Sequence, residues 1–212
     1  MSVGLPWGRQ FVDPRTIVEL IAVAQSVARP QMRILDVGSG AGQATTWLGS
    51  IATMTGGTVD CVDVWDDPEA WRLFQTNILR TIGDSVVRPH RGRSESVIPA
   101  LPPVLYDLIF IDADHRYAAV RRDIQNTWPR VRPGGVLCGH DYEAPLAAGA
   151  EHLADVLEVD TAIGLDVDGN RRIVHPGVIA AVQELLPNHT ARWNIWRAFK
   201  ETPGGDTDDG GY

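Results

Sequence analysis

The stretch RILDVGSGAGQ, residues 33–43, constrains the fold more than any other part of the chain. A short apolar run breaks directly into glycines, and Ala44, Trp47, Leu48 and Ile51 then recur at helical spacing. Gly38, Gly40 and Gly42 let the backbone turn sharply with no side chain in the way, and they leave amide N–H groups facing outward at the start of a helix. A strand, a glycine turn and a helix in that order open a βαβ unit, with room for a nucleotide-like ligand at the turn. A tight turn without a ligand reads the same in isolation, so the neighbouring elements have to decide.

The neighbours repeat the pattern. Asp13 before Pro14 predicts an N-cap and a helix to about Ala28, with Ile17, Leu20, Ile21 and Ala24 on its apolar face. TVDCVDVW at 58–65 predicts a second strand, and Asp67-Pro68 opens a helix with Trp71, Phe74, Ile78 and Ile82 inward and Gly83 as its C-cap. Val86 and Val87 begin a weak third strand, YDLIFID at 106–112 is a fourth, GGVLCGHD at 134–141 is a fifth, and Tyr117 to Trp128 is a helix between the last two. Alternating strands and helices form parallel, right-handed βαβ units, which gather ligand sites at the carboxyl ends of the strands.

The rhythm breaks over residues 143–174, where a short helix near Glu151 to Leu157 and a hairpin turning at Asp168-Gly169 are predicted. This segment reads as an inserted cap or lid. A helix over Val178 to Leu186 and a final strand, ARWNIWRAFK, complete a single domain of residues 1–200, and residues 201–212 read as a disordered acidic tail. The expected class is α/β: a Rossmann-like, mostly parallel sheet flanked by helices, with a lid-like insertion after strand five.

Charge and composition exclude several functions. The formal charge is -8, and Glu201, Asp206, Asp208 and Asp209 carry half of it, so the body has no basic footprint for nucleic acid. No apolar run reaches the length of a membrane span, and MSVGLPWGRQ lacks the apolar core of a signal peptide, so the expected location is cytoplasmic. Cys61 and Cys138 fall in separate apolar strands, as buried small hydrophobes rather than a disulfide. Asp166, Asp168 and Asn170 have part of a calcium-loop spacing, but Gly169 is misplaced and no bidentate Glu follows, so they read as a turn. Trp193, Trp196 and Phe199 are assigned to the core.

Asp63 ends strand two, where a carboxylate can accept hydrogen bonds from both hydroxyls of a ribose. A solvated strand end is the plainer reading, and it suits Asp60, which alternation puts on the other face. The dinucleotide fingerprint wants Gly or Ala five residues after its first glycine, and Gln43 stands there. The G-x-G-x-G spacing instead resembles the first motif of class I methyltransferases. The resemblance implies S-adenosylmethionine as cofactor, held by Gly38, Gly40, Gly42, Asp63 and the strand-four Asp112, with Asp36 organising the loop near the methionine end. GRSESVIPAL, after strand three, is similar to the segment of catechol O-methyltransferases in which a Ser and the next residue hold adenine, which implies Ser94 and Glu95. Ser94 as a plain helix cap fits the residues equally well.

IDADHRY and GHDY converge on one rim. Asp112 ends strand four, His115 follows it, and His140-Asp141 ends strand five. This arrangement resembles metal-dependent small-molecule O-methyltransferases, including catechol, macrolide-sugar and cephalosporin-pathway relatives, over roughly residues 32–142. There the strand-four Asp and a strand-five polar pair hold a divalent cation, and in the macrolide-sugar group a His three residues after that Asp is the base. By resemblance, Asp112, His140 and Asp141 are metal ligands for Mg or Mn. His115 is the base, expected near neutral pKa, and Asp112 and Asp141 complete the catalytic set. His140 stands where that pair usually begins with Asp or Glu. It either stands aside, admits a softer metal such as Mn, Fe or Zn, or marks a site that works without metal. Asp114 and Tyr117 are candidates to line the acceptor pocket.

The implied activity is methyl transfer to a hydroxyl of a small molecule, sugar or natural-product-like. Its partner is that acceptor, with neither nucleic acid nor membrane involved and a homo-oligomer left open. An NAD-linked oxidoreductase would use the same glycine turn, although Gln43 and the lack of a second nucleotide half oppose it. A non-catalytic cofactor-binding protein would have no need of His115 or Asp141.

Overall fold

The computed structural model describes residues 13–143, 157–165 and 170–202. The five predicted parallel strands are β1 (Arg33–Val37), β2 (Thr58–Asp63), β3 (Val87–Arg91), β4 (Tyr106–Ile111) and β5 (Val131–Gly139). They pair in parallel in the order β3-β2-β1-β4-β5. The chain moves outward from β1 to β3 and returns to β4 on the other side of β1, so the topological switch point lies between β1 and β4. β5 ends at Gly139, and the His140-Asp141 pair follows the strand rather than ending it.

Helices cover both faces of the sheet. α1 (Pro14–Ser26), α2 (Gln43–Thr55) and α3 (Pro68–Thr81) pack on one side against Ile34, Val59, Leu108 and Phe110. On the other side α4 (Ser94–Ala100), α5 (Tyr117–Thr127) and α6 (Pro176–Leu185) pack against Leu35, Val62, Ile109 and Leu137. Successive strand residues thus enter opposite cores, which is why these strands read as unbroken apolar runs. Both predicted N-caps form: the Asp13 carboxylate accepts from the Arg15 amide and the Asp67 carboxylate from the Glu69 amide, each at 2.9 Å. α3 stops at Thr81 with Ile82 as its cap, so Gly83, at φ +76°, sits one position beyond the predicted place and donates to the Ile78 carbonyl. Cys61 and Cys138 are buried free thiols, as expected. No described helix is long and apolar enough to cross a membrane.

Three expectations change. The final strand is a hairpin of β8 (Thr190–Arg192) and β9 (Ile195–Phe199), turned by Trp193 at φ 50° and Asn194 at φ 64°. Two left-handed residues make the two-residue hairpin loop that matches strand twist. Trp-Asn lacks the glycine that usually announces it. Of the three aromatics assigned to the core, only Trp196 is buried; Trp193 and Phe199 are 40% and 52% exposed. Asp60 is not a solvated strand end either: it is buried and bonds His90 and the Tyr106 hydroxyl.

β9 runs antiparallel to β5 with Gly139 opposite Trp196, which brings the Trp193-Asn194 turn to the carboxyl end of β5. Within the insert, β6 (Ala162–Leu165) and β7 (Arg171–Val174) form an antiparallel hairpin. The turn predicted at Asp168-Gly169, the neighbouring Asp166, the helix over 151–156 and the tail beyond 202 lie outside the described residues. α6 begins at Pro176, two residues before the predicted start, with His175 in the cap position.

Candidate active site

The glycine turn sits at the switch point. Gly38 has φ +90°, and a Cβ there would lie 2.0 Å from the Asp112 carbonyl oxygen, so only glycine fits where the turn passes the end of β4. Gly42, at φ +88°, is the N-cap of α2, and a Cβ there would press on Phe74 and Ile78. Its role is helix packing, and it does not line the cavity above the turn. That cavity, about 660 Å³, is lined by Gly38, Gly40, Asp63, Ser94, Glu95 and Asp112 among others. The Asp63 carboxylate accepts from the Gly40 amide at 2.8 Å and from the Trp65 amide at 2.9 Å, which fixes it at the cavity edge. Trp65, buried beside Trp71 and Phe74, donates its indole N–H to the Gly40 carbonyl at 2.8 Å and props the turn from below.

Asp36 lies beneath the turn, fully buried and outside the cavity lining. Thr45 donates to its carboxylate at 2.5 Å. Burial, reinforced by Asp112 and Asp63, outweighs that bond and the one from Ser39 and pushes its carboxyl up to about 7. Its carboxylate ties the end region of β1 to the first turn of α2. At the other end of the cavity, Arg93 rather than Ser94 takes the cap position of α4, without a side-chain bond. The Ser94 side chain bonds Asp123 instead, a cavity residue whose carboxyl burial pushes up to about 6. Glu95 is ion-paired with Arg122. Among the described residues, seven carboxylates and three guanidiniums line this cavity.

The rim beyond Asp112 carries the titratable cluster. His115 Nε2 is 3.0 Å from Asp141 Oδ2 and 3.8 Å from Asp112 Oδ1. His140 Nδ1 is 3.1 Å from Asp141 Oδ1 and 3.6 Å from Asp112 Oδ1. Asp141 has φ 57°, a conformation that aspartate tolerates and that turns the chain at the end of β5. Burial works against the charge on both histidines, but the two carboxylates outweigh it, raising His115 to about 11 and His140 to about 10. The same pairing holds Asp112 and Asp141 below the usual carboxylate range against burial. The near-neutral pKa expected of His115 is therefore not what the cluster gives, because its two carboxylate neighbours stabilise the imidazolium.

Sequence reasoning missed part of this cluster. His175 Nδ1 lies 2.8 Å from the Glu143 carboxylate and 3.6 Å from Asp141, and its ring is 4.5 Å from that of His115. α6 can come this close because Gly177 has no Cβ to meet the His115 carbonyl, 2.3 Å away. A His before a Pro at a helix start, straight after the insert, is the signal that was present. Asp160, from the insert, pairs with His115 Nδ1 at 3.0 Å. The insert also covers the start of α5, where Tyr117 donates its amide to the Leu157 carbonyl and Ala118 to the Glu158 carboxylate. Tyr117 turns its hydroxyl to Glu184, outside the cavity lining, while Asp114 lines the cavity with its carboxylate paired to Arg116. Among the described residues, two groups, Asp112/His140/Asp141 and His115/Asp141/His175, each bring one ligand atom per residue within 4.8 Å of the others.

Comparison with known proteins agrees with this geometry. A family model described as Methyltransferase domain matches residues 35–142, the stretch from β1 to just beyond β5. A provisionally named O-methyltransferase of Mycolicibacterium paratuberculosis is 32% identical over 160 residues, covering 71% of this chain and 69% of that one. A counterpart in Mycobacterium tuberculosis is 31% identical over the same shares. Among solved structures, an O-methyltransferase from Bacillus cereus in complex with SAH superimposes with a TM-score of 0.60 at 20% identity, covering 92% of this chain and 84% of that one. TomG, an O-methyltransferase of tomaymycin synthesis from Streptomyces achromogenes in complex with SAM, gives 0.62 at 15% identity, covering 90% and 82%. At those identities the structures speak for the fold, while the family match and the closer relatives speak for the kind of enzyme. The chain belongs to the methyltransferase family, as a class I, S-adenosylmethionine-dependent O-methyltransferase.

Proposed function

We propose that this enzyme methylates a hydroxyl of a small acceptor, with S-adenosylmethionine in the glycine-side cavity and the acceptor's proton handled by the cluster around His115. The observation that carries the reading is the placement of an acidic cavity, edged by Gly38, Gly40 and Asp63, directly against Asp112 and the rim histidines. Seven carboxylates suit a cationic sulfonium and repel the pyrophosphate of a dinucleotide, which weighs against an NAD-linked oxidoreductase. When bound, S-adenosylmethionine supplies an electrophilic methyl, and most of the rate comes from holding the acceptor oxygen in line with it.

The chain's own residues divide the work. Asp63, held by two backbone amides, is placed to accept from ribose hydroxyls, and Ser94, Glu95 and Asp123 border the far end of the cavity. His115 Nε2 is the atom we assign to receive the acceptor's proton, because Asp112 and Asp141 stabilise the imidazolium that results. The donor set also fits a divalent metal: among the described residues Asp112, His140 and Asp141 each bring one ligand atom within 4.8 Å of the others, two carboxylate oxygens with one imidazole nitrogen. Mixed nitrogen and oxygen ligands favour Mn, Fe or Zn over Mg, and Asp112, His140 and Asp141 would hold an ion that acidifies the acceptor hydroxyl. The 143–174 segment serves as a cap, supported by Asp160 on His115 and Glu158 at the cavity wall. A cytoplasmic location is supported by the two free thiols.

Calorimetry with S-adenosylhomocysteine tests the cofactor assignment. The wild type should bind, and Asp63→Ala should lose on the order of 2 to 4 kcal/mol, the scale of two hydrogen bonds to a charged acceptor. Binding of NADH in place of S-adenosylhomocysteine would overturn it.

A further inference from the structure

We propose that His115, Asp141 and His175 form a divalent-metal site of their own, suited to zinc or a similar nitrogen-seeking cation and different in its donors from the Asp112/His140/Asp141 set. The site rests on side-chain geometry alone; its consequence for methyl transfer rests on the reading above, in which His115 Nε2 receives the acceptor's proton.

Three separate segments bring the donors together. His115 lies between β4 and α5, Asp141 just beyond β5, and His175 in the cap position of α6, after the insert. One ligand atom from each lies within 4.8 Å of the others. His115 Nε2 is 3.0 Å from one Asp141 oxygen, and His175 Nδ1 is 3.6 Å from the other. Two ligands held about 2.1 Å from one tetrahedral ion stand about 3.4 Å apart, so these donors are already near ligand spacing and an ion would need little rearrangement. Asp141 takes φ 57°, and Gly177 has no Cβ where α6 meets the His115 carbonyl; both features serve the approach.

The surrounding carboxylates carry the argument further. An imidazole that binds a metal almost always gives its other ring nitrogen to a carboxylate, a carbonyl or water, which fixes the ring. His115 has such a partner: Asp160 Oδ1 lies 3.0 Å from its Nδ1, on the opposite ring nitrogen from the one that meets Asp141. His175 is fixed by Glu143, whose carboxylate accepts its amide at 3.0 Å and lies 2.8 Å from its Nδ1. Two imidazoles and one carboxylate favour zinc-like ions over magnesium more strongly than the single imidazole of the neighbouring set does. The two sets share Asp141, one of whose oxygens faces His140 and the other His115. An ion in the new site takes up His115 Nε2, so its occupancy and proton acceptance by that atom exclude each other.

The test is calorimetric titration of chelator-stripped, untagged protein with zinc, repeated with cobalt, whose visible absorption reports nitrogen ligation. The wild type and His140→Ala should both bind, because the nitrogen lost in the variant belongs to the neighbouring set. His175→Ala should weaken zinc at this site roughly 100-fold or more, and His175→Cys should recover much of the affinity, since a thiolate also ligates zinc. Asp160→Asn alters only the outer partner of His115 and should weaken zinc roughly tenfold. Circular dichroism of each metal-free variant checks its folding, and the Cys variant keeps the test decisive should the Ala variant not fold. Unchanged zinc affinity in His175→Ala, loss of all zinc binding in His140→Ala, or no zinc binding by the wild type overturns the site: the histidines and carboxylates then hold one another as ion pairs only. Zinc is also added during methyl transfer by the wild type, where it should inhibit at the concentrations that fill the site. If zinc fills the site and transfer is undiminished, the site stands and the proton-accepting role of His115 falls.

Discussion

The two concave regions on the carboxyl rim are lined differently. Among the described residues, the glycine-side cavity is lined by seven carboxylates and three guanidiniums, whereas the smaller concavity beside Trp193 is lined by Asp13, Tyr142 and the guanidiniums of Arg15, Arg172 and Arg192. The first is built on the switch point of the parallel sheet, from turns that follow β1, β2 and β4. The second is built from the antiparallel addition, α1 and the insert hairpin. The contrast separates the parallel core, whose acidic, glycine-edged cradle suits a cationic ligand, from the added elements, which meet it near the His115 cluster. It also bears on turnover, because methyl transfer removes the sulfonium charge and so weakens the attraction that held the cofactor.

The sharpest way to break this division is at the cluster. His115→Ala should lower methyl transfer to an accepted hydroxyl substrate roughly 10²- to 10⁴-fold while leaving S-adenosylhomocysteine affinity nearly unchanged. Full transfer at saturating cofactor would take the proton-accepting role away from His115. A parallel loss of cofactor affinity would mean that the cluster belongs to the cavity instead of standing between the two pockets.

A pH profile refines the same point. A base must be neutral to accept a proton, and His115 is raised to about 11, so in chelator-treated enzyme transfer should climb through the alkaline range toward that value. Asp141→Asn removes one of the carboxylates that hold the imidazolium, so the rising limb should start lower, by roughly one pH unit or more. A limb in the same place for both proteins would mean that another group is titrating. Full activity after exhaustive chelation, with metal analysis, would leave His115 in place and remove the ion.

The smallest effect concerns the acidic cavity. Carboxyls raised to about 6 at Asp123 and about 7 at Asp36 are neutral below those values and charged above them. Between about pH 5.5 and about pH 8 the cavity therefore grows more negative, and the affinity ratio of S-adenosylmethionine to S-adenosylhomocysteine should rise a few-fold. Salt should flatten the rise. A ratio independent of both would show that the cavity's charge does not distinguish the sulfonium from the thioether.

Much of this was legible in the sequence. Local pattern predicted the five parallel strands, the Asp13 and Asp67 caps, the glycine turn and Asp63 at the end of β2, and it put Asp112 and Asp141 within two residues of where β4 and β5 end, because each depends on residues a few positions apart. The resemblance to class I methyltransferases rested on those same local motifs, and the family match covers the same stretch. What the sequence left undecided depends on distance in space. Whether Gly42 faces a ligand or a helix was decided by Phe74 and Ile78 packing across from it. Whether His115 rests neutral or charged was decided by two carboxylates from different strands. The hairpin within ARWNIWRAFK, the approach of His175 over Gly177 and the gathering of Arg15, Arg172 and Arg192 all required the chain to fold back on itself. Periodicity records which face of an element is buried, but burial, charge pairing and close approach are set by which other elements arrive there.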